Sequence, residues 1–144
     1  MDTELREFDV PCTWFNIRKA SRAITQYFDH TLQPTGLRIT QLNILYLIKV
    51  SGPVMLTQIA NMLVVDRTTL TRNLRLLEQN GYITSTKAAD KRKRLFDLTE
   101  LGEKKIDEAL PLWKEANSYF VRGLGIENWN SMLKNLCTAV SLVR

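Results

Sequence analysis

The chain has 144 residues, 44% hydrophobic and 24% charged, with a net charge of +5, an ordinary composition for one soluble globular domain that can bury a core without disulfides or metals. Its two cysteines, Cys12 and Cys137, and its one histidine, His30, are too few for an all-Cys/His tetrahedral zinc site within one chain and read as free thiols and a helix-end cation, so neither a metal nor a cofactor is expected. No run approaches the ~20 apolar residues of a membrane span, and the acidic Met1–Asp9 stretch lacks the apolar core of a signal peptide, so the expected location is cytoplasmic, with no membrane partner.

In chain order, Trp14, Ile17, Ser21, Ile24 and Phe28 recur at spacings of three and four, predicting an amphipathic helix over about 12–32, ended by Pro34 and Gly36. A second helix starts near Ile39, with Thr40 a candidate cap and Leu42, Leu45 and Ile48 as its buried stripe; Ser51, Gly52 and Pro53 break it. Thr57 reads as the N-cap of a short helix to Leu63 with Ile59, Ala60 and Leu63 inward. Val64 and Val65 connect it to a helix capped by Asp66 and reaching Asn80, with Gly81 in the position that favours a left-handed residue. Tyr82–Lys87 and the Phe96–Leu98 alternation predict a two-stranded hairpin, with Ala88–Arg94 as its charged tip. Thr99 caps a long helix whose stripe is Ile106, Leu110, Trp113, Asn117, Phe120 and Leu124, with Pro111 expected to bend it. A last helix carries Trp129, Leu133, Leu136, Val140 and Val143. The expected fold is mainly α with a small two-stranded β-wing: a winged helix-turn-helix over 37–100, flanked by helical dimerisation segments 1–36 and 101–144.

The positive charge is concentrated. Residues 66–95 hold eight Lys/Arg against three acids, and the rest of the chain holds twelve of each. A neutral body with one basic segment is the distribution of a nucleic-acid binder. At about 100° per residue, Arg67, Thr68, Thr71, Arg72 and Arg75 fall within about 140° of arc, and Leu70, Leu74 and Leu77 within a separate arc of about 60°. One face is for the core. The other offers guanidinium forks that match the O6 and N7 of guanine, and hydroxyl and methyl groups that suit phosphates and thymine. A solvated helix face usually mixes Glu with Lys, whereas this one has no acid before Glu78. The short helix, three-residue turn and second helix have helix-turn-helix spacing. The hairpin adds Lys87, Lys91, Arg92, Lys93 and Arg94 against Asp90 alone. Such a charge cluster is unfavourable by itself and favourable beside phosphate, where counterions are released. An arginine at the tip could sense minor-groove width.

Leu56-Thr-Gln-Ile-Ala, Asp66-Arg-Thr-Thr-Leu-Thr-Arg72, Leu74 to Gly81-Tyr-Ile, Asp90-Lys-Arg92 and Leu98-Thr-Glu-Leu-Gly102 resemble the MarR family of bacterial and archaeal transcription regulators. The resemblance covers nearly the whole chain and is weakest in the two terminal segments. It implies a homodimer with intertwined terminal helices, whose two lobes reach successive major grooves of a palindromic double-stranded DNA operator. It also implies repression relieved by a small aromatic (phenolic) ligand or an oxidant such as a peroxide. Carried over residue by residue, the recognition positions are Arg67, Thr68, Thr69, Thr71, Arg72 and Arg75. Lys91, Arg92, Lys93 and Arg94 are the wing contacts. Asp66 either pairs with the wing arginine Arg92, or serves only as an N-cap while Arg92 lies free in a groove, or does each in turn. Cys12 is either a redox sensor activated by its helix N-terminus or a packed, inert thiol beside Trp14 and Phe15.

Two other function classes compete with this reading. An architectural or protein-interaction winged-helix module would keep the fold without needing the Arg/Thr face, and RNA recognition calls for exposed stacking aromatics that the 66–95 window lacks. No Gly-rich phosphate loop, nucleophile elbow or paired carboxylate site is present in the sequence, so an enzyme is not expected.

Overall fold

The computed structural model describes residues 11–144; Met1–Val10, with the acidic stretch, lie outside the described residues. Helix α1 (Thr13–Leu32) passes into a 3-10 turn, Gln33–Thr35, which Gly36 closes at a φ of +74°. Helix α2 (Ile39–Ser51) follows. Its first N–H groups are satisfied from outside the expected cap: Ile39 N–H donates to Asp29 Oδ1 of α1 at 2.7 Å, and Arg38 N–H to Gln41 Oε1 at 3.0 Å. Thr40 therefore sits inside the helix. Helix α3 (Leu56–Leu63) starts in the same way. Met55 is its N-cap and donates its N–H to Gln58 Oε1 at 3.0 Å, which puts Thr57, the expected cap, within the first turn. A glutamine at the third helical position that accepts from the cap N–H supplies the returning half of a capping box, a different bond from the one a threonine at the cap would accept.

The sheet has three strands, one more than the sequence predicts. Strand β1 (Val54–Met55) pairs with β3 (Arg94–Leu98), which pairs in turn with β2 (Ile83–Lys87), all antiparallel in the order β1-β3-β2. Val54 faces Phe96 and Ser85 faces Phe96 from the other side. A two-residue strand is too short to show an alternation, so only its pairing reveals it. Arg94, expected in the hairpin tip, is the first residue of β3 and stands opposite Lys87.

The core joins α2, α3, helix α4 (Arg67–Gln79), the sheet and helix α5 (Glu100–Leu124) through Leu45, Ile48, Ile59, Leu70, Leu77 and Ile106, with Ile83 and Phe96 from the strands. Each such aliphatic side chain contributes about 1.5–3 kcal/mol by leaving water. Helix α5 continues through Pro111 as one helix to Leu124. Its start is fixed by Thr99, whose hydroxyl accepts from Gly102 N–H at 3.0 Å and donates to Gly81 C=O at 2.6 Å. One side chain thus caps α5 and ties it to the residue that ends α4. Gly102 is required at this crossing, because a Cβ there would run into the Tyr82 carbonyl oxygen.

The outer helices are less buried. Helix α1 meets α5 through an aromatic cluster, with Phe28 and Phe120 at 5.9 Å and Tyr27 and Tyr119 at 5.1 Å. Helix α6 (Ile126–Ser141) has no buried residue in the single chain. Leu133, Leu136 and Val140 of its predicted stripe are exposed, as are Trp14 and Ile17 of α1. Cys137 is a free, exposed thiol on α6. No helix among the described residues is long and apolar enough to cross a membrane.

Gly102→Ala should lower stability by about 1–3 kcal/mol, the cost of overpacking a closed contact. Thermal unfolding at one fixed protein concentration measures it; an unchanged midpoint would mean that α5 does not cross Tyr82 this closely.

Candidate nucleic-acid interface

Helices α3 and α4 are joined by Val64, Val65 and Asp66. Val64 ends α3 in the left-handed region at φ +52°, its N–H donating to Ala60 C=O. A β-branched residue is costly in that conformation. Asp66 then caps α4, with Thr69 N–H donating to Asp66 Oδ2 at 2.9 Å. The Thr69 N–H, with the Thr69 hydroxyl second, holds the Asp66 carboxyl below the usual carboxylate range. A depressed value means that the charged cap is fully present above the ordinary carboxylate pKa and is lost only as pH falls through the lowered one.

Helix α4 is divided as its spacing predicts. Leu70, Leu74 and Leu77 are 0%, 2% and 0% exposed. Arg67, Thr68, Thr71, Arg72 and Arg75 are exposed and together line one open groove of about 360 Å³. Thr69 is exposed but does not line that groove; its N–H serves the cap and its carbonyl accepts from Asn73 Nδ2 at 3.2 Å. Glu78, the one acid of α4, accepts from the Ser85 hydroxyl of β2 at 2.6 Å. The sequence carries no signal for this bond, because its partners meet only after the chain reverses at Gly81.

Beyond Lys87 and Arg94 the hairpin tip is ordered by its own backbone. Ala88 N–H donates to Lys93 C=O at 2.9 Å and Lys93 N–H to Asp90 C=O at 2.9 Å. Arg92 N–H donates to Asp90 Oδ1 at 3.2 Å. Asp90 is thus the turn-former of the Asp-Lys-Arg segment, and Lys91, Arg92 and Lys93 project exposed around it. Like charges face each other at the Lys87–Arg94 pair, an arrangement that weakens an isolated hairpin. The Asp66–Arg92 ion pair is not formed: Asp66 is engaged as the helix cap, and no ion pair among the described residues includes Arg92.

Cys12 occupies the N-cap position of α1, half-buried, with no side-chain capping bond. Two hollows of about 270 Å³ each lie where α2 meets α5, sharing Ile39, Asn43 and Trp113. Tyr46 and Leu110 complete one, and Thr25 and Phe28 of α1 the other. Among the described residues no group of His, Cys, Asp and Glu could hold a metal ion.

A family model described as MarR family matches residues 37–94. The HTH-type transcriptional regulator YwoH of Bacillus subtilis is 35% identical over 92 residues, spanning 64% of this chain and 67% of that protein. The M. tuberculosis transcriptional regulator MosR, crystallised in complex with DNA, is 30% identical with a TM-score of 0.80, covering 92% of this chain and 98% of that one. The transcriptional repressor CouR, bound to a 23-mer DNA duplex, shares the fold at a TM-score of 0.84 and 24% identity, over 97% of both chains.

Val64→Gly should raise stability by about 1 kcal/mol, since it removes a Cβ from a left-handed backbone at a side chain that is 52% exposed. Denaturant unfolding reads the change. A loss of stability would show that Val64 makes packing contacts worth more than the strain.

Proposed function

Since the chain belongs to the MarR family of transcription regulators, we propose that it is a sequence-specific repressor whose α4 reads base edges in the major groove of an operator while the β2–β3 wing grips the adjacent backbone. The single observation that carries this reading is the division of α4: three leucines sealed in the core oblige three arginines and two threonines to share one open groove. Arg67, Arg72 and Arg75 supply bidentate donors for guanine or phosphate. Thr68 and Thr71 supply hydroxyls and methyls, and Thr69 supports the helix start instead of facing the groove. Lys91, Arg92, Lys93 and Arg94 form the wing's phosphate-binding set, and nearby phosphates relieve the repulsion between Lys87 and Arg94. That the M. tuberculosis MosR is bound to DNA supports the same use of the fold here.

The working species on this reading is a homodimer. The support is α6, which has no fully buried residue in the single chain and leaves the apolar Leu133, Leu136 and Val140 exposed. A self-complementary contact of α1 and α6 between two copies removes that surface from water. Release of the operator is assigned to a small aromatic acid in the hollows around Trp113 or to oxidation at Cys12. The first is supported by two apolar concavities lying between the terminal helices and α2; the second by the helix N-terminus at which Cys12 sits.

Selection of bound duplexes from a random pool tests the reading. The expected outcome is a palindrome with half-sites about one helical turn apart. On that duplex Arg72→Ala should cost about 1–3 kcal/mol at particular base pairs. Benzoate-type acids or hydroperoxides added to the wild-type complex should release it. Salt-steep binding with no enriched sequence would make the protein an architectural binder. A uniform loss across all duplexes would reduce Arg72 to a phosphate contact, and a complex indifferent to both additives would remove the release assignment.

A further inference from the structure

Helix α4 carries one acid, Glu78, and carries it where a carboxylate is least favourable. It lies one residue from the C-terminal end of the helix, where the dipole prefers a cation, on the element that the proposed reading sets against phosphates. Its environment explains why it is nonetheless accommodated. Glu78 is half-buried, and the Ser85 hydroxyl donates to its Oε1 at 2.6 Å, the short distance of a charge-assisted bond. On β2, half-buried Ser85 shares its face with buried Ile83, between the exposed Thr84 and Thr86. Past Ser85 no side-chain hydrogen bond or ion pair among the described residues ties the hairpin to the rest of the chain; the tip's bonds are its own. Ser85 is therefore the last side-chain anchor of the hairpin to α4; the backbone ladder to β1 ends one residue nearer the tip, where Met55 faces Leu95. At about 3.3 Å per residue the tip stands roughly 15 Å beyond Ser85, so a 10° tilt at this point moves the tip by roughly 2–3 Å.

The geometry points to Glu78 and Ser85 as a positioning pair that fixes the wing's angle to the recognition helix and so sets sequence discrimination, at some expense of raw affinity for DNA. The bond holds both contact surfaces at one spacing, so that α4 and the wing engage together only where base contacts and backbone contacts are in register. The Glu78 charge itself repels phosphates on every sequence alike. The inference rests on the regulator reading above and deepens it.

The test compares affinity for the duplex selected from the random pool with affinity for a shuffled duplex of equal composition, at one salt concentration. The preparations are the wild-type protein, Glu78→Gln, Glu78→Ala and Ser85→Ala. Taking the ratio within each preparation cancels any loss of folded fraction. Glu78→Gln keeps an acceptor oxygen for Ser85 and removes the charge; both affinities should rise while the ratio stays within about twofold of wild type. Glu78→Ala and Ser85→Ala break the bond, and their ratios should fall about five- to tenfold, the size of one lost hydrogen bond. If all three variants keep the wild-type ratio, or if Gln lowers it as much as Ala, the positioning role is overturned. A wild-type protein that does not prefer the selected duplex overturns the regulator reading itself, and the inference with it.

Discussion

The burial of Leu70, Leu74 and Leu77 on one side of α4 is the constraint from which the rest of the reading follows. Each is at most 2% exposed, so the rotation of the helix about its axis is fixed by the core. At about 100° per residue, fixing the leucines also fixes which residues can face outward. Rotating α4 to hide Arg67 or Arg72 would expose leucine and bury guanidinium groups without partners, each cost being several kcal/mol. The outward arginines are therefore held in place by hydrophobic packing on the opposite side of the helix, and need no contact of their own to be presented.

Around this helix the chain accepts several locally unfavourable arrangements. Val64 takes a left-handed backbone to turn α3 into α4, Lys87 stands opposite Arg94, and Glu78 lies near the negative end of its helix. They cluster at the turn, the wing and their junction, the parts that the proposed function brings to DNA. Elsewhere the polar groups are conventionally satisfied: Thr35 bonds Leu32 C=O and Leu37 N–H, and no buried side-chain polar atom among the described residues is left without a partner. Consistency away from the site and local conflict within it is the pattern expected of a functional surface.

Much of this was legible in the sequence, because long helices with sealed stripes announce themselves through spacing. The stripe Leu42-Leu45-Ile48 of α2 and the two-faced α4 emerge as read, as do the Asp66 and Thr99 caps. What the sequence concealed depends on contacts between distant segments. The third strand is two residues long and is defined only by Phe96 and Leu95 across from it. The caps expected at Thr40 and Thr57 lie inside their helices, which start at Ile39 and Leu56, with Gln41 and Gln58 accepting from the N–H groups of Arg38 and Met55. The Ser85–Glu78 bond and the Asp29 bond to Ile39 require the tertiary fold to bring their partners together. The Asp66–Arg92 pairing carried over from the family is not among the ion pairs of the described residues, where Asp66 accepts from Thr69 N–H at the helix start.

Guanine methylation interference tests the account most directly, since a methyl on N7 blocks the major-groove edge and leaves the phosphates unchanged. On the selected duplex, methylation of guanines within two patches about one helical turn apart should abolish binding, and methylation elsewhere should be tolerated. Binding that withstands methylation at every guanine of a guanine-containing selected site would contradict the claim that the arginine-lined side of α4 lies against bases.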